Sequence, residues 1–481
     1  MASPLSHYMR SVTSAYAGPS AGCSALRYSL RMVTLAWVFG SAWATITGGA
    51  ALTKYAQVLG LPKFGFGLLA ALPYMGALLQ FPASWFVERY GHRKRLLVVA
   101  GIIHRAVWFG VAAIPWVLPD ANWWPSLLVL IGLSSLAGHI ATPAVLAWFA
   151  DIVPGRIRGR YFSRRSQAGQ LVALGVTLAM GFLLDHSRLG GDTAVLRVVS
   201  IAFALAAACG VMDFLTLTPV PDPRSTTPNP RLGLAALLRG PLASREFRIY
   251  LGYSATLTFA VAYVGQFIWL YLFDVVGMSV TQANLLNVVI PLGAALACYP
   301  FWGRLIDRVG RRPVLLICGI LIVNGASGWV FVAKGHWYWG YASTLLATMA
   351  WPGVDLANFS LLLGMKDASG RRSVGGAFIA INSMVSALAG ALSGVFGGVL
   401  AEWLGDWQGS VCGWPLTFHG VLFIVSAVLR VLALVWVLRM HDAGSRGCAA
   451  AGRAVWCELA RPWRHMAGVR QRRLAHGGEP V

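Results

Sequence analysis

The sequence predicts an all-α membrane protein with twelve transmembrane helices, arranged as two six-helix repeats. Of its 481 residues, 57% are apolar and only 12% are charged, and the mean hydropathy is +0.64. A soluble domain would carry about 25% charged residues, so most of this chain does not face water. The spacing of its apolar runs and an internal repeat predict the same fold class.

Twelve apolar runs are long enough to cross a bilayer. A helix needs about 20 residues to do so, because it rises about 1.5 Å per residue and the hydrocarbon core is about 30 Å thick. The runs lie near residues 30–53, 65–87, 96–118, 125–150, 167–185, 194–217, 247–273, 282–302, 313–333, 340–364, 373–400 and 415–438.

Basic residues predict the orientation of the helices. With the N-terminus inside, the cytoplasmic loops hold 21 Lys and Arg residues, whereas the opposite loops hold only Lys54, Lys63, Arg188 and Lys334. Cytoplasmic loops of membrane proteins carry such an excess. We therefore expect a multi-pass protein of the plasma membrane or bacterial inner membrane, with both termini in the cytoplasm. The first run lacks the features of a cleaved signal peptide and is predicted to be a retained span.

The formal net charge of +22 raises the question of nucleic acid as a partner. The Arg residues, however, form short clusters between apolar runs, which is typical of membrane topology, and no nucleic-acid partner is expected. Anionic lipid headgroups at the cytoplasmic face are the expected partner of this charge. Cys209, Cys298 and Cys318 lie within apolar runs, and the seven cysteines predict neither a disulfide framework nor a metal site. No cofactor is expected.

The chain repeats itself with an offset of about 218 residues. Pro73 and Pro82 align with Pro291 and Pro300, so both pairs keep the same spacing. Two six-helix halves of this kind place a substrate site at their interface near the membrane midplane. The predicted organisation is a cytoplasmic N-terminal segment over 1–28, an N-terminal bundle over 29–217, a cytoplasmic linker over 218–246, a C-terminal bundle over 247–439 and a basic cytoplasmic tail over 440–481. After the Pro-rich stretch 219–230, residues 232–248 predict a short amphipathic helix on the cytoplasmic face.

Two loops at equivalent positions of the repeat carry related motifs. The loop between the eighth and ninth runs contains Gly303, Asp307, Arg308, Gly310, Arg311 and Arg312. It resembles the signature loop of the major facilitator superfamily, G-x-x-x-D-R-x-G-R-R, without a mismatch. The loop between the second and third runs is a weaker copy with Ser84, Glu88, Arg89, Gly91, His92 and Arg93. The element Asp151, Pro154, Arg158 and Gly159 resembles the D-x-x-P…R-G end of the fourth helix in that superfamily.

The resemblance covers residues 30–440 and implies a secondary transporter, not an enzyme. It implies that the signature loops hold the cytoplasmic side shut in one state. Asp307 and Glu88 should contact Arg residues at neighbouring helix ends, and Asp151 should lie near Arg89 or Arg93. Gly132 stands where proton-driven drug exporters carry an intramembrane Arg, so the subfamily is not identified.

Charged residues inside the predicted spans fall into two groups. Arg105, Asp213 and Arg430 lie on helices that flank the pathway in this superfamily, and we interpret them as structural. An Arg105–Asp213 contact would neutralise two charges that are costly in a membrane. The repeat relates Arg105 to Asn324 and Asp213 to Arg430, so Arg430 is expected to bond Asn324 or local carbonyls.

The second group is a candidate pathway for substrate or protons. Asp355 and His139 fall near the midplane on cavity-type helices, and Asn358 shares a face with Asp355. Gln266 with Tyr263 and Trp37 with Ser41 form similar faces. The alternative is that these are buried polar groups bonded to backbone, or aromatic packing residues.

The resulting hypothesis is a monomeric secondary active transporter that moves a small solute by alternating access. Proton coupling, a facilitative carrier and a nutrient sensor on a transporter fold stay open as alternatives. A membrane-embedded enzyme would need convergent catalytic groups, whereas His104, His139 and His419 lie on different helices. The substrate and the direction of transport are not predicted.

Overall fold

The computed structural model describes residues 19–90, 93–153, 157–221, 241–332, 336–365, 377–411 and 414–441. In these ranges, ten helices are long and apolar enough to cross a membrane, or eleven if one bent pair counts as a single span. One of the ten, Arg160–Leu215, has 56 residues. At about 1.5 Å per residue it is far longer than a bilayer is thick. It consists of two helices that meet at Gly191, where φ is +76°. The described chain therefore has twelve spans.

The N-terminal half contains spans 1 to 6. Their helices are Pro19–Ile46 and Gly49–Val58 in span 1, Lys63–Ala77 and Gln80–Tyr90 in span 2, Arg93–Val117 in span 3, Trp123–Ile152 in span 4, Arg158–Ser187 in span 5 and Gly191–Leu215 in span 6. Short 3₁₀ turns, Asp120–Asn122 and Arg188–Gly190, precede spans 4 and 6.

The C-terminal half contains spans 7 to 12. Their helices are Arg245–Ala262, Gly265–Leu270 and the π-helix Tyr271–Val275 in span 7; Val280–Asn284, the π-helix Leu285–Val289 and Ile290–Val309 in span 8; Arg311–Gly328 with the 3₁₀ turn Trp329–Phe331 in span 9; Tyr338–Gly364 in span 10; Ala377–Leu404 in span 11; and Phe418–Arg439 in span 12. Between spans 11 and 12, strands β1 (Gln408–Val411) and β2 (Trp414–Thr417) form an antiparallel hairpin.

The apolar core shows how the two halves meet. We call the side on which span 1 begins and span 12 ends the terminal side, and the opposite side the distal side. One distal cluster includes residues of both halves, for example Tyr55 and Phe66 with Phe267 and Phe423. Towards the terminal side the core divides into one cluster for each half, around Trp148 and around Trp302 respectively. The halves are therefore packed together distally and separate towards the terminal side.

One predicted boundary differs clearly from the structure. Span 5 begins at Arg158 and not near residue 167, so Arg160, Arg164 and Arg165 are helical instead of lying in a loop. The guanidinium of Arg165 lies 4.3 Å from the ring of Trp37 on span 1, which gives this charge a partner inside the bundle. Of the predicted amphipathic helix, residues 232–240 lie outside the described ranges, and Arg245 already belongs to span 7. The segments 1–18 and 442–481 lie outside them as well.

Candidate functional site

Glycines close the distal side by letting two helix backbones touch. A Cβ added to Gly67 on span 2 would lie 2.3 Å from the Cα of Gly398 on span 11 and 2.5 Å from the carbonyl of Gly394. A real Cβ cannot take that position without moving one of the helices. Spans 2 and 11 belong to different halves, so this contact is a seam between them.

A polar cluster lies above this seam at the distal surface. Lys63 at the start of span 2 donates to the carboxylate of Asp406 and to the carbonyl of Gly405, both at 2.7 Å. The backbone N–H of Phe64 donates to Glu402 at 3.1 Å. The Lys63 ammonium holds the pKa of the Asp406 carboxyl below its usual range by hydrogen bonding and by its charge. These contacts join the loop after span 11 to span 2.

Spans 1 and 7 make a second distal contact through amides. The hydroxyl of Thr53 donates to Gln266 Oε1 at 3.1 Å, and Gln57 donates to both carboxylate oxygens of Asp274 at 2.9 Å. Gln266, predicted to line the pathway, thus lies in a closed contact between the halves. In this state it belongs to the distal closure.

Asp185 makes a third distal contact, between spans 5 and 8. Its carboxylate accepts hydrogen bonds from the backbone N–H groups of Val280 at 2.6 Å and Thr281 at 3.0 Å. These groups belong to the first turn of span 8, where backbone donors are unpaired and a negative charge is favoured. The N-terminal half therefore caps a helix of the C-terminal half.

On the terminal side of these contacts, Asp355 and Tyr299 lie close together on two spans of the C-terminal half. Asp355 on span 10 is exposed, and its carboxylate is 3.5 Å from the hydroxyl of Tyr299 on span 8, which is itself 40% exposed. One turn along span 10, Asn358 has a buried Oδ1 without a hydrogen-bond partner. Of the predicted pair on span 10, Asp355 is therefore exposed and Asn358 is partly buried.

His139 reaches the space between the halves through a neighbour. Its Nδ1 lies 2.7 Å from Nε2 of Gln80 on span 2, so the amide donates and the ring nitrogen accepts. A cavity of about 200 Å³ lies beside Gln80, with Ser84 on one wall and Ser383 of span 11 on the other. His139 itself is not among the lining residues. His139 is therefore separated from the cavity by Gln80 and does not line it directly.

The two aromatic residues of the predicted pathway lie in different environments. Tyr263 has no exposed surface, and its hydroxyl donates to the carbonyl of Leu422 on span 12. In this state the hydroxyl satisfies a backbone carbonyl inside the distal core, so Tyr263 does not line an open space here. Trp37 is 38% exposed under the Arg165 guanidinium, and its indole packs closely against Gly169 of span 5. Trp37 thus stays accessible.

The structure contains the predicted ion pair between Arg105 and Asp213. The guanidinium of Arg105 on span 3 lies 3.0 Å from the carboxylate of Asp213 on span 6, and each side chain is 12% exposed. The same guanidinium stacks 3.6 Å from the ring of Trp43. Arg430 instead donates to the carbonyl of Ile322 at 2.8 Å, whereas Asn324 is exposed. Of the two partners expected for Arg430, the local carbonyl is therefore the one observed.

The signature loop between spans 8 and 9 turns at Gly310, where φ is +94° and a side chain would be strained. Arg312 donates to the carbonyls of Val437 at 3.2 Å and Leu438 at 2.6 Å in the last turn of span 12. A glycine at this place in the motif can permit close helix approach, but nothing lies within 4 Å of a Cβ built on Gly303. The halves are apart at this level, which removes the neighbour that such an approach would need.

Most other signature residues are exposed or lie outside the described part of the chain. Asp307 and Arg308 are exposed, and Arg311 is partly buried. The side chains not described are those of Glu88, Arg89, Arg93, Asp151 and Arg158, together with Gly91 and Gly159. The expected contacts of Glu88 and Asp151 therefore remain predictions.

Several residues in these contacts were not singled out from the sequence. Lys94 donates to the carbonyls of Thr218 at 2.7 Å and Val220 at 2.6 Å after span 6, and it directly follows Arg93, which the aligned loops pair with Arg312. Asp185 and Tyr299 carry no such signal, because their partners lie in the other half or on a distant span. Within the described ranges, no group of three or more His, Cys, Asp or Glu residues is placed to hold a metal ion.

Two six-span halves that meet at one membrane face and part at the other have the architecture of secondary transporters. A family model described as Major Facilitator Superfamily matches residues 32–393. The match spans well over half of the chain, and the chain belongs to this superfamily. It is a multi-pass membrane protein of a family of secondary transporters that bind small solutes.

Solved structures give the same fold. The nucleoside transporter NupG is 13% identical with a TM-score of 0.63, covering 86% of this chain and 98% of its own. The xylose transporter XylE from E. coli, in an inward open conformation, is 17% identical with a TM-score of 0.62 over 87% and 96% of the two chains. A bacterial homologue of the iron transporter ferroportin is 16% identical with a TM-score of 0.61 over 87% and 98%. No curated protein sequence matches the chain.

Proposed function

We propose that this chain moves a small solute across the plasma membrane or bacterial inner membrane by rocking its two halves around a central cleft. The observation that carries the proposal is the division of the core. One apolar cluster joins the halves distally, and each half has its own cluster towards the terminal side. Such a molecule admits solute from one face only, which is what alternating access requires.

The excess of basic residues in the loops of the terminal side supports a cytoplasmic location for that side. In the described state the cleft would then open to the cytoplasm. In the opposite state, the signature loops would meet across the terminal side. Asp307 and Arg308 are exposed in the described state.

Asp355 is the proposed site of proton coupling. The buried carboxylate of Asp213 is already bonded to Arg105, whereas Asp355 is exposed and, among the described residues, its carboxylate bonds the neutral Tyr299. A carboxylate at that place can exchange a proton with water and can change its partner when the halves move. His139, with Gln80, is the second polar pair that this cleft offers.

Transport by reconstituted protein tests both parts of the proposal. Purified full-length chain in liposomes is assayed for uptake and efflux of pooled metabolites, with and without a proton gradient. We expect at least one solute to move, gradient-driven accumulation to be lost in Asp355→Asn, and solute exchange to persist. The matched control is Asp120→Asn, which removes an exposed carboxylate from the 3₁₀ turn before span 4.

Two outcomes would revise the proposal differently. Accumulation in Asp355→Asn at the wild-type level would remove this residue from coupling, and flux unaffected by any gradient would indicate a facilitative carrier. No flux of any solute by folded protein would contradict transport itself.

A further inference from the structure

The C-terminal half contains a cavity of its own. Its volume is about 330 Å³, and spans 7, 8, 9, 10 and 12 line it, so it lies inside one bundle and not between the halves. Pockets of about 300–1,000 Å³ are typical of small-molecule sites. The polar lining residues are Asn287, Thr344, Thr348, Ser426 and Arg430, and the aromatic ones are Trp329, Trp351 and Phe423.

The guanidinium of Arg430 lines this cavity, and no carboxylate lines it. The Arg430 guanidinium makes one hydrogen bond, from Nη1 to the Ile322 carbonyl, and its Nε is buried without a partner. The lining contains no Asp or Glu, and none of the ion pairs in the described ranges involves Arg430. A charged side chain inside a membrane bundle is costly unless a counter-ion or water compensates it.

The repeat shows which charge is missing. Asp213 precedes Arg430 by 217 positions and Arg105 precedes Asn324 by 219, close to the general offset of 218. In the N-terminal half, these positions hold a carboxylate and a guanidinium 3.0 Å apart. In the C-terminal half, a guanidinium stands where the carboxylate was, and the equivalent of the first guanidinium is an exposed, uncharged Asn324. At these positions the N-terminal half holds a neutral ion pair, whereas the C-terminal half holds Arg430 without a counter-ion among the described residues.

Two more donors line the cavity without partners. Thr344 Oγ1 on span 10 and Asn287 Nδ2 on span 8 are both buried and form no hydrogen bond. Buried polar groups in folded proteins are nearly always bonded, so three such groups around one cavity call for an acceptor. Guanidinium, amide and hydroxyl donors together suit the oxygens of a carboxylate, which accepts up to four hydrogen bonds.

We infer that this cavity binds a small organic anion, with its carboxylate on Arg430, Thr344 and Asn287 and its apolar body against Trp329, Trp351 and Phe423. The inference deepens the proposed function, on which its physiological meaning rests, by naming the substrate class. It also places this binding site inside the C-terminal bundle, beside spans 7, 8 and 10, and apart from Asp355.

Thermal unfolding of the purified full-length protein tests the site without any flux. The probe is sodium benzoate, compared with sodium chloride at equal ionic strength and with benzamide, its uncharged analogue. We expect benzoate to raise Tm in proportion to the logarithm of its concentration above Kd, and benzamide and chloride to leave Tm unchanged.

Three variants assign the effect to the cavity. Arg430→Gln should abolish the benzoate response. Thr344→Val should raise the Kd for benzoate about tenfold, because a hydrogen bond to a charged group is lost. Without benzoate, Thr344→Val should unfold no earlier than the wild type, since it removes a buried hydroxyl that bonds nothing. Arg439→Gln, at the end of the same span 12, is the matched control and should keep the full response.

Each contrary result is informative. Equal stabilisation by benzamide, or a benzoate response that survives in both Arg430→Gln and Thr344→Val, would overturn the site. Stabilisation by chloride alone would overturn the organic anion as its occupant. If Arg430→Gln does not fold, Thr344→Val decides alone. Benzoate binding without transport of any solute would contradict the proposed function and leave the site intact, whereas transport without benzoate binding would do the reverse.

Discussion

Lys94 and Arg312 lie 218 positions apart and hold equivalent helix ends in the two halves. Lys94 donates to the carbonyls of Thr218 and Val220 just after span 6, and Arg312 donates to those of Val437 and Leu438 at the end of span 12. Val220 and Leu438 are themselves 218 positions apart. A basic residue at or directly after each signature loop therefore caps the last helix of its own half, where a cation and unpaired carbonyls attract each other.

Replacing Arg312 by Gln should lower the free energy of unfolding by about 1–2 kcal/mol, because two charged hydrogen bonds to span 12 are lost. Differential scanning fluorimetry of the purified protein measures this as a lower Tm. Arg439→Gln, which removes a basic residue from the same helix end, should change Tm much less. Equal shifts in the two variants would show that the capping contact is not the cause.

Replacing Arg105 by Gln should reduce the folded yield strongly, since it leaves the Asp213 carboxylate buried and unpaired at a cost of about 3–5 kcal/mol. The double variant Arg105→Gln/Asp213→Asn should recover part of the loss by removing that charge as well. Size-exclusion chromatography of the detergent-solubilised variants measures the yield, with the exposed Arg197→Gln as control. Transport selectivity should stay unchanged, and an altered selectivity in folded Arg105→Gln would place this residue on the pathway instead.

Replacing Gly398 by Leu should prevent closure of the distal side, because no side chain fits between the backbones of spans 2 and 11. The reporter is Ala401→Cys in a background without native cysteines, since Ala401 has no exposed surface in the closed state. A thiol reagent should label it at least tenfold faster when Gly398 is Leu. Gly175→Ala is the control, as nothing lies within 4 Å of its added Cβ. Unchanged labelling would show that the seam does not hold the distal side closed.

The contribution of the Lys63–Asp406 pair to distal closure should not depend on pH in the neutral range. Lys63 lowers the pKa of the Asp406 carboxyl. The pair therefore stabilises the closed state fully above the ordinary carboxyl pKa, and this stabilisation is lost only when the pH falls through the lowered pKa of Asp406. Labelling of Ala401→Cys, corrected for the ionisation of the thiol, should respond to Asp406→Asn equally at about pH 6 and pH 8. The response should stay below about fivefold, because Asp406 is solvent-exposed. A response that disappears at the lower pH would show that Asp406 is protonated there.

Much of the fold follows from the sequence, because the membrane leaves helices few alternatives. Length and hydropathy predict the twelve spans, and the cost of burying a charge in lipid predicts that Arg105 and Asp213 find each other. The repeat relates Arg430 to Asp213 and leaves Arg430 without a carboxylate in its own half. These inferences need only the chain itself.

The candidate site is less predictable, because helical spacing shows which residues share a face but not what that face meets. Tyr263 and Gln266 are spaced to share a helix face, yet the Tyr263 hydroxyl bonds Leu422 inside the core and the Gln266 amide bonds Thr53 across the halves. Asp185 bonds a helix end in the other half, which no local pattern encodes. Span 5 begins earlier than its apolar run because Arg165 places its charge on the ring of Trp37.

The rocking of the two halves is tested most directly by two spin-label distances in one protein. The distal pair is Leu189 with Trp403, which are 84% and 80% exposed, and the terminal pair is Ile157 with Leu242, which are 39% and 40% exposed. Each pair is labelled through cysteines in a background without the seven native ones. Double electron–electron resonance is then compared between that background and the same protein with Gly398→Leu. The account predicts that the distal distance lengthens while the terminal distance shortens. A distal distance that lengthens while the terminal distance stays constant would contradict alternating access by rocking.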